Sequence, residues 1–231
     1  MGSRFFWMGL IVLAGIFLWG MSYVMAPNSG DVEFQKMLEA TEKVKSFRGS
    51  YVGKLPTTGQ HAQKLWEVDC NQSIVHKQYQ ESPTGSDSLE MKEEAFMVGS
   101  DLKFTRTSDG SWEKTQYKAK QFSASWYCDN IAQGTIRDLL PDIRRMLRSA
   151  TFAKGDKKTV NGVRCQDWEF AMHSATSGQK GTLCIGLEDH LPYEMTVDNV
   201  DRYSYSDYNQ PLQFDAPYEV LHAASSTEGS N

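Results

Sequence analysis

The sequence predicts a mainly β domain of the α+β class, preceded by one N-terminal transmembrane helix. Three observations predict it. From Phe47 to about Tyr127, apolar and polar residues alternate in short runs, broken by turn chemistry at intervals of roughly 10 residues. Two other stretches, one before this region and one after it, switch to the three-and-four spacing of an amphipathic helix. The chain also opens on an uncharged apolar run from Phe5 to Ala26.

That run is taken first. At roughly 1.5 Å per residue its 22 residues span a hydrocarbon core of about 30 Å. The alternative is a cleaved secretory signal, whose apolar region is normally about 7–15 residues. Arg4 in front, with Asp31 and Glu33 behind, puts the N-terminus in the cytoplasm and the rest across the inner membrane, in the periplasm. Both readings export the chain, and the bilayer is its first expected partner. The expected division is a cytoplasmic 1–4, an anchor or uncleaved signal at 5–26, an exported domain at 27–217 and a polar tail at 218–231.

After the run, Phe34, Met37, Leu38, Thr41 and Val44 form the apolar stripe of a helix, with Ser29 or Asp31 as N-cap. Six strands follow, in "SFRGSYVGKL", "AQKLWEVDC", "SIVHKQYQ", "LEMKEEAFMVG", "DLKFTRT" and "SWEKTQYK". Short turns between them describe an antiparallel meander. Ile136, Leu139, Leu140, Ile143 and Leu147 then mark a second helix, kinked or split at Pro141. Its polar side carries Arg137, Arg144, Arg145 and Arg148, read as a solvated face or as a surface for anionic contact. Asn161-Gly162 signals a tight hairpin, three more strands run to "SDYNQP", and "LQFDAPYEV" is a last extended piece.

All four cysteines, Cys70, Cys128, Cys165 and Cys184, lie in the exported part, and an even count in an oxidising compartment favours two disulfides. The turn-rich "HSATSG" lies between Cys165 and Cys184, so a hairpin centred there sets them opposite one another. Cys70 then pairs with Cys128 by subtraction.

Catalytic chemistry is missing. The sequence has no nucleophile elbow, P-loop, dinucleotide fingerprint or zinc-protease motif. The five histidines are scattered, and solvated surface positions suit them. Glu93-Glu94 and Glu188-Asp189 lie in or beside strands, where neighbours face opposite ways, and read as solvated charge. With a net charge of −5 and mixed signs along the chain, nucleic acid is not an expected partner. The sequence therefore reads as a non-enzyme without cofactor or metal.

The order of "VNGVRCQDWEF", "GTLCIGLEDHLPYEMTV", "YSYSDYNQP" and "FDAP" resembles the LolA-like lipoprotein-carrier superfamily, whose fold mycobacterial cell-envelope lipoproteins share. The motif-bearing resemblance covers Thr159 to Pro217; upstream the agreement is in element order. The resemblance implies a half-open antiparallel β-barrel with helices plugging its concave face and an apolar cavity between. It also implies binding of lipid or lipoprotein acyl chains. Leu65, Phe96, Phe104, Trp168 and Phe170, with Leu139, Leu140 and Ile143 from the helix, are the candidate lining, or else an ordinary filled core. The other expectation is an accessory or structural subunit that uses the same fold as a scaffold for a membrane protein partner.

Overall fold

The computed structural model describes residues 29–55, 57–116, 123–129, 150–172 and 178–227. The apolar run Phe5–Ala26 and the helix expected around Pro141 lie outside them, with Arg137, Leu139, Leu140, Ile143, Arg144, Arg145 and Arg148. Among the described residues no helix is long and apolar enough to cross a membrane.

Helix α1 spans Ser29–Thr41 and buries Phe34, Met37 and Thr41, the stripe its spacing predicts. The expected six-strand meander follows as β1 (Ser46–Lys54), β2 (His61–Asp69), β3 (Ile74–Glu81), β4 (Glu90–Val98), β5 (Leu102–Arg106) and β6 (Trp112–Gln116). A short helix α2, Ala124–Asp129, comes next. The second meander is β7 (Ala150–Val160), β8 (Val163–Met172), β9 (Lys180–Gly186), β10 (Pro192–Val197) and β11 (Asp201–Ser206). Asn161 and Gly162 both adopt positive φ, 49° and 82°, which a two-residue hairpin turn demands and which Asn and Gly tolerate best.

The two meanders join through one non-sequential pair, β1 with β11, giving an eleven-stranded antiparallel sheet in the order β6-β5-β4-β3-β2-β1-β11-β10-β9-β8-β7. β6 and β7 stand at opposite ends of this order, so the sheet is not closed into a barrel. Helices α1 and α2 cover one face, here the inner face. There Phe34 stacks on Phe152 of β7 with centroids 5.5 Å apart, and Trp168, Phe170, Leu183, Ile185 and Met195 are buried.

Two expectations for the C-terminal end change. "LQFDAPYEV" forms no strand, and Tyr218–Thr227, read as polar tail, forms helix α3. Pro217 stands just before it, where a missing N–H costs nothing, and its carbonyl accepts the N–H of Val220. Val220, Ala223 and Ala224 are buried on the outer face against Ile74, Phe96, Val98 and Phe104. Three small apolar residues at helical spacing carry this packing, a signal easily lost among the Ser, Thr and Glu around them. Asp69, buried at the end of β2, holds the approach to α3. It accepts the N–H groups of Asn71, Gln72 and Leu212.

Both disulfides join the expected partners. Cys70 bonds Cys128 across 5.5 Å between Cα atoms, tying the end of β2 to α2, and Cys165 bonds Cys184 across 5.6 Å. The second bridge is diagonal, because Cys165 stands opposite Gly186 and Cys184 opposite Asp167. The register of β8 against β9 is centred one position beyond the midpoint of the two cysteines. The right-handed twist of a sheet brings one diagonal of each cross-strand square closer than the other.

Candidate functional site

Register assembles the site from four central strands. Tyr203 of β11 stands opposite Tyr51 of β1, Tyr51 opposite Lys64 of β2, and Lys64 opposite Tyr79 of β3. One step along the strands, Trp66 stands opposite Lys77. All point to the inner face, because side chains alternate and Lys64 shares its phase with Ala62, Trp66 and Val68. The result is a cleft of about 350 Å³ lined by Lys64, Trp66, Lys77, Gln78, Tyr79 and Glu93.

Its electrostatics rest on rings. The Lys64 ammonium lies 5.6 Å from the Tyr51 ring centroid and 5.7 Å from that of Tyr79. Lys77 sits 4.1 Å over the Tyr127 ring and donates to its hydroxyl. The nearby acids are engaged by the phenols: Tyr51 donates to Asp201 at 3.0 Å and Tyr79 to Glu81 at 2.6 Å. Burial, then the Glu81 carboxylate, pushes the Tyr79 phenol up to about 12. Burial and then Asp201 raise Tyr51 as well, so both rings stay neutral donors at neutral pH. Gly53 makes the Tyr51–Asp201 contact possible, since a Cβ there would stand 2.1 Å from Asp201 Oδ1 and 2.4 Å from the Tyr51 oxygen.

The candidate lining residues do not gather in one place. Trp168 and Phe170 lie buried on the inner face under α1, in packed core. Phe96 and Phe104 point to the outer face and pack under α3, and half-buried Leu65 shares that outer phase with Gln78. The reason is a one-residue step: Leu65 and Trp66 adjoin in sequence and so face opposite sides. Lys64 carried a usable signal, its shared parity with Trp66, whereas the apolar character of Leu65 pointed the wrong way.

The outer face holds a buried ionic chain. His76 is 5% exposed, with Nδ1 2.7 Å from Glu67 and Nε2 3.2 Å from Glu94, and its ring is stacked on Phe96. Arg48 donates to Glu67 at 2.6 Å and Arg106 to Glu94 at 2.9 Å. Glu94, expected as solvated charge, and His76, expected at the surface, are both buried here because each supplies the other's partner. His190 is also engaged, its Nδ1 2.5 Å from Glu33 of α1. Among the described residues no group of three or more His, Cys, Asp or Glu is arranged to hold a metal ion. Nor does any carboxylate pair there resemble an acid and base sharing a cleft: Glu93, the acid in the cleft, is paired with Lys103 at 3.2 Å.

A second groove, about 600 Å³, runs between α3 and strands β5 and β6. Its lining includes Leu102, Phe104, Trp112, Lys114, Tyr218 and His222. Tyr218 is 75% exposed.

No protein-family model matches the sequence, and no curated protein matches it. Several solved structures are similar in fold. A chain of the Pseudomonas aeruginosa MucA/MucB complex aligns at 12% identity with a TM-score of 0.42, over 80% of this chain and 59% of that one. This chain thus spans about three fifths of that protein's length. The structure of MucB alone aligns at 11% identity with a TM-score of 0.41, over 82% of this chain and 61% of that one. A LolA superfamily protein from Nitrosomonas europaea aligns at 10% identity with a TM-score of 0.25, over 81% and 96% of the two chains. The motif-bearing strands from Thr159 to Pro217, on which the resemblance to the LolA-like superfamily rests, complete the eleven-stranded antiparallel sheet.

Proposed function

We propose that this chain is a non-enzymatic binding protein of the bacterial envelope, held at the inner membrane by Phe5–Ala26, that takes a lipid or lipoprotein acyl chain on its inner face. The cleft over β2, β3 and β4 carries this reading. Its volume of about 350 Å³ falls within the range of roughly 300–1,000 Å³ typical of small-molecule sites. Trp66, Tyr79 and the stems of Lys64 and Lys77 offer apolar walls. Each methylene taken from water there is worth about 0.8 kcal/mol, so a partly sheltered acyl chain gains several-fold more than any one polar contact supplies.

Native mass spectrometry of the purified full-length chain, with extraction of bound lipid, tests the reading. Co-purifying lipid and saturable uptake of a fluorescent fatty acid are the expected results. A chain that carries no lipid and takes up none is not a carrier.

The groove beside α3 favours a second reading, a docking scaffold for a membrane protein partner. Tyr218, which is exposed, and Trp112 both line the groove, and aromatic residues of this kind anchor protein interfaces. MucB, similar in fold, forms a complex with the periplasmic part of MucA. If this reading holds, a Tyr218→Ala chain loses a cross-linked membrane partner that the wild type retains; an unchanged cross-linking pattern rejects it.

A further inference from the structure

Several described cations on this sheet meet carboxylates. Arg48 pairs with Glu67 and Asp207, Arg106 with Glu94, Lys103 with Glu93, and Lys158 with Asp167 and Glu194. Lys64 differs. It sits half-buried at the middle of the inner face, and among the described residues no carboxylate lies within ion-pair distance of its ammonium. The Tyr51 and Tyr79 rings flank it instead, at 5.6 and 5.7 Å. The acids that might have neutralised it, Asp201 and Glu81, are taken up by the hydroxyls of those same two tyrosines.

This arrangement has a chemical consequence. A ring quadrupole steadies an ammonium without an acceptor oxygen, whereas a carboxylate partner would both neutralise it and occupy at least one of its three N–H donors. The ring-held amine head is therefore in place and able to donate toward the cleft that Trp66 and Tyr79 wall. The second cation of the cleft, Lys77, is fixed by Tyr127 one step away. Among the described residues the acid in the lining is Glu93, which is held by Lys103.

We propose that Lys64 is the seat for the oxyanion head, a carboxylate or phosphate ester, of the amphiphile bound in this cleft. The aromatic walls take the first methylenes of its chain. The assignment rests on the acyl-chain reading above and sharpens it to anionic amphiphiles. Charge-assisted donation from a partly desolvated ammonium supplies the preference for an ionised head over a neutral one.

The test uses the full-length chain in amphipol, titrated with a fluorescent fatty acid and with the matched fatty alcohol. Three chains are compared: wild type, Lys64→Met and Lys64→Arg. Wild type is expected to bind the acid about tenfold more tightly than the alcohol, a difference within reach of one charge-assisted hydrogen bond. Lys64→Met is expected to lose that preference while its alcohol affinity holds, and Lys64→Arg to keep it. Thermal unfolding of each variant separates loss of binding from loss of fold. Equal acid preference in wild type and a folded Lys64→Met overturns the assignment and leaves the acyl-chain reading standing. Binding of inorganic phosphate without any acid-over-alcohol preference also overturns it, in favour of a free-anion site. Failure of wild type to bind either chain overturns the acyl-chain reading itself, and the head-group assignment falls with it.

Discussion

His76 stands between Glu67 and Glu94, and its removal leaves two buried carboxylates with one arginine each and nothing between them. Deleting the shared partner of a buried hydrogen-bonded group typically costs about 1–3 kcal/mol for each group left unsatisfied. His76→Leu should lower the unfolding free energy by an amount in that range, read as a lower urea midpoint with little change in slope. Burial pushes the Glu67 carboxyl up, but hydrogen bonds from His76 and Arg48 outweigh it and hold the group below its ordinary value. At Glu94, burial is likewise outweighed by hydrogen bonds from Arg106, Gln78 and His76. A carboxyl depressed in the folded state adds stability that is complete above the unfolded value, about 4.3 for Glu, and is lost as pH falls through the lower folded value. Urea midpoints should therefore fall on acidification below about pH 4, and less steeply in Glu67→Gln than in wild type.

At the scale of elements, the disulfides and α3 differ in how they were readable. Four cysteines, with one turn cluster between two of them, are enough to suggest the pairing. The offset of Cys165 against Gly186 needed the actual register. In the chain-entropy account, the Cys70–Cys128 bridge closes 58 residues and contributes about 4 kcal/mol, against about 3 kcal/mol for the 19 residues closed by Cys165–Cys184. Cys70→Ser with Cys128→Ser should consequently depress the thermal midpoint more than the matching pair of changes at Cys165 and Cys184, as calorimetry would record. Helix α3 was invisible because its three buried residues are small and its surroundings polar. Val220→Asp should strip it from Ile74 and Phe96, which limited proteolysis after Pro217 would detect as faster cleavage.

For the whole molecule, the decisive contact is the pairing of β1 with β11, which turns two local meanders into one sheet. Strands on either side of that seam are flanked by partners, while β6 at one end pairs only with β5 among the described residues. Amide hydrogen exchange should be slowest in β1, β2, β10 and β11 and fastest in β6. Fast exchange at the seam would argue for two independent meanders. Each strand of the meanders was legible because alternation, turn residues and hairpin signals act between near neighbours. The two meanders' pairing was not, because a contact between Arg48 and Ser206 leaves no mark within either segment. The cleft follows the same division. Period-two alternation already separates Lys64 and Trp66 from Leu65, yet where strands are buried on both faces that alternation cannot say which side is which. Residue chemistry over a few positions is enough to determine strands, turns and cysteine partners. Which tyrosines flank Lys64, and which acids they draw away from it, is decided by register across four strands, because only the assembled sheet brings those residues within reach of one another.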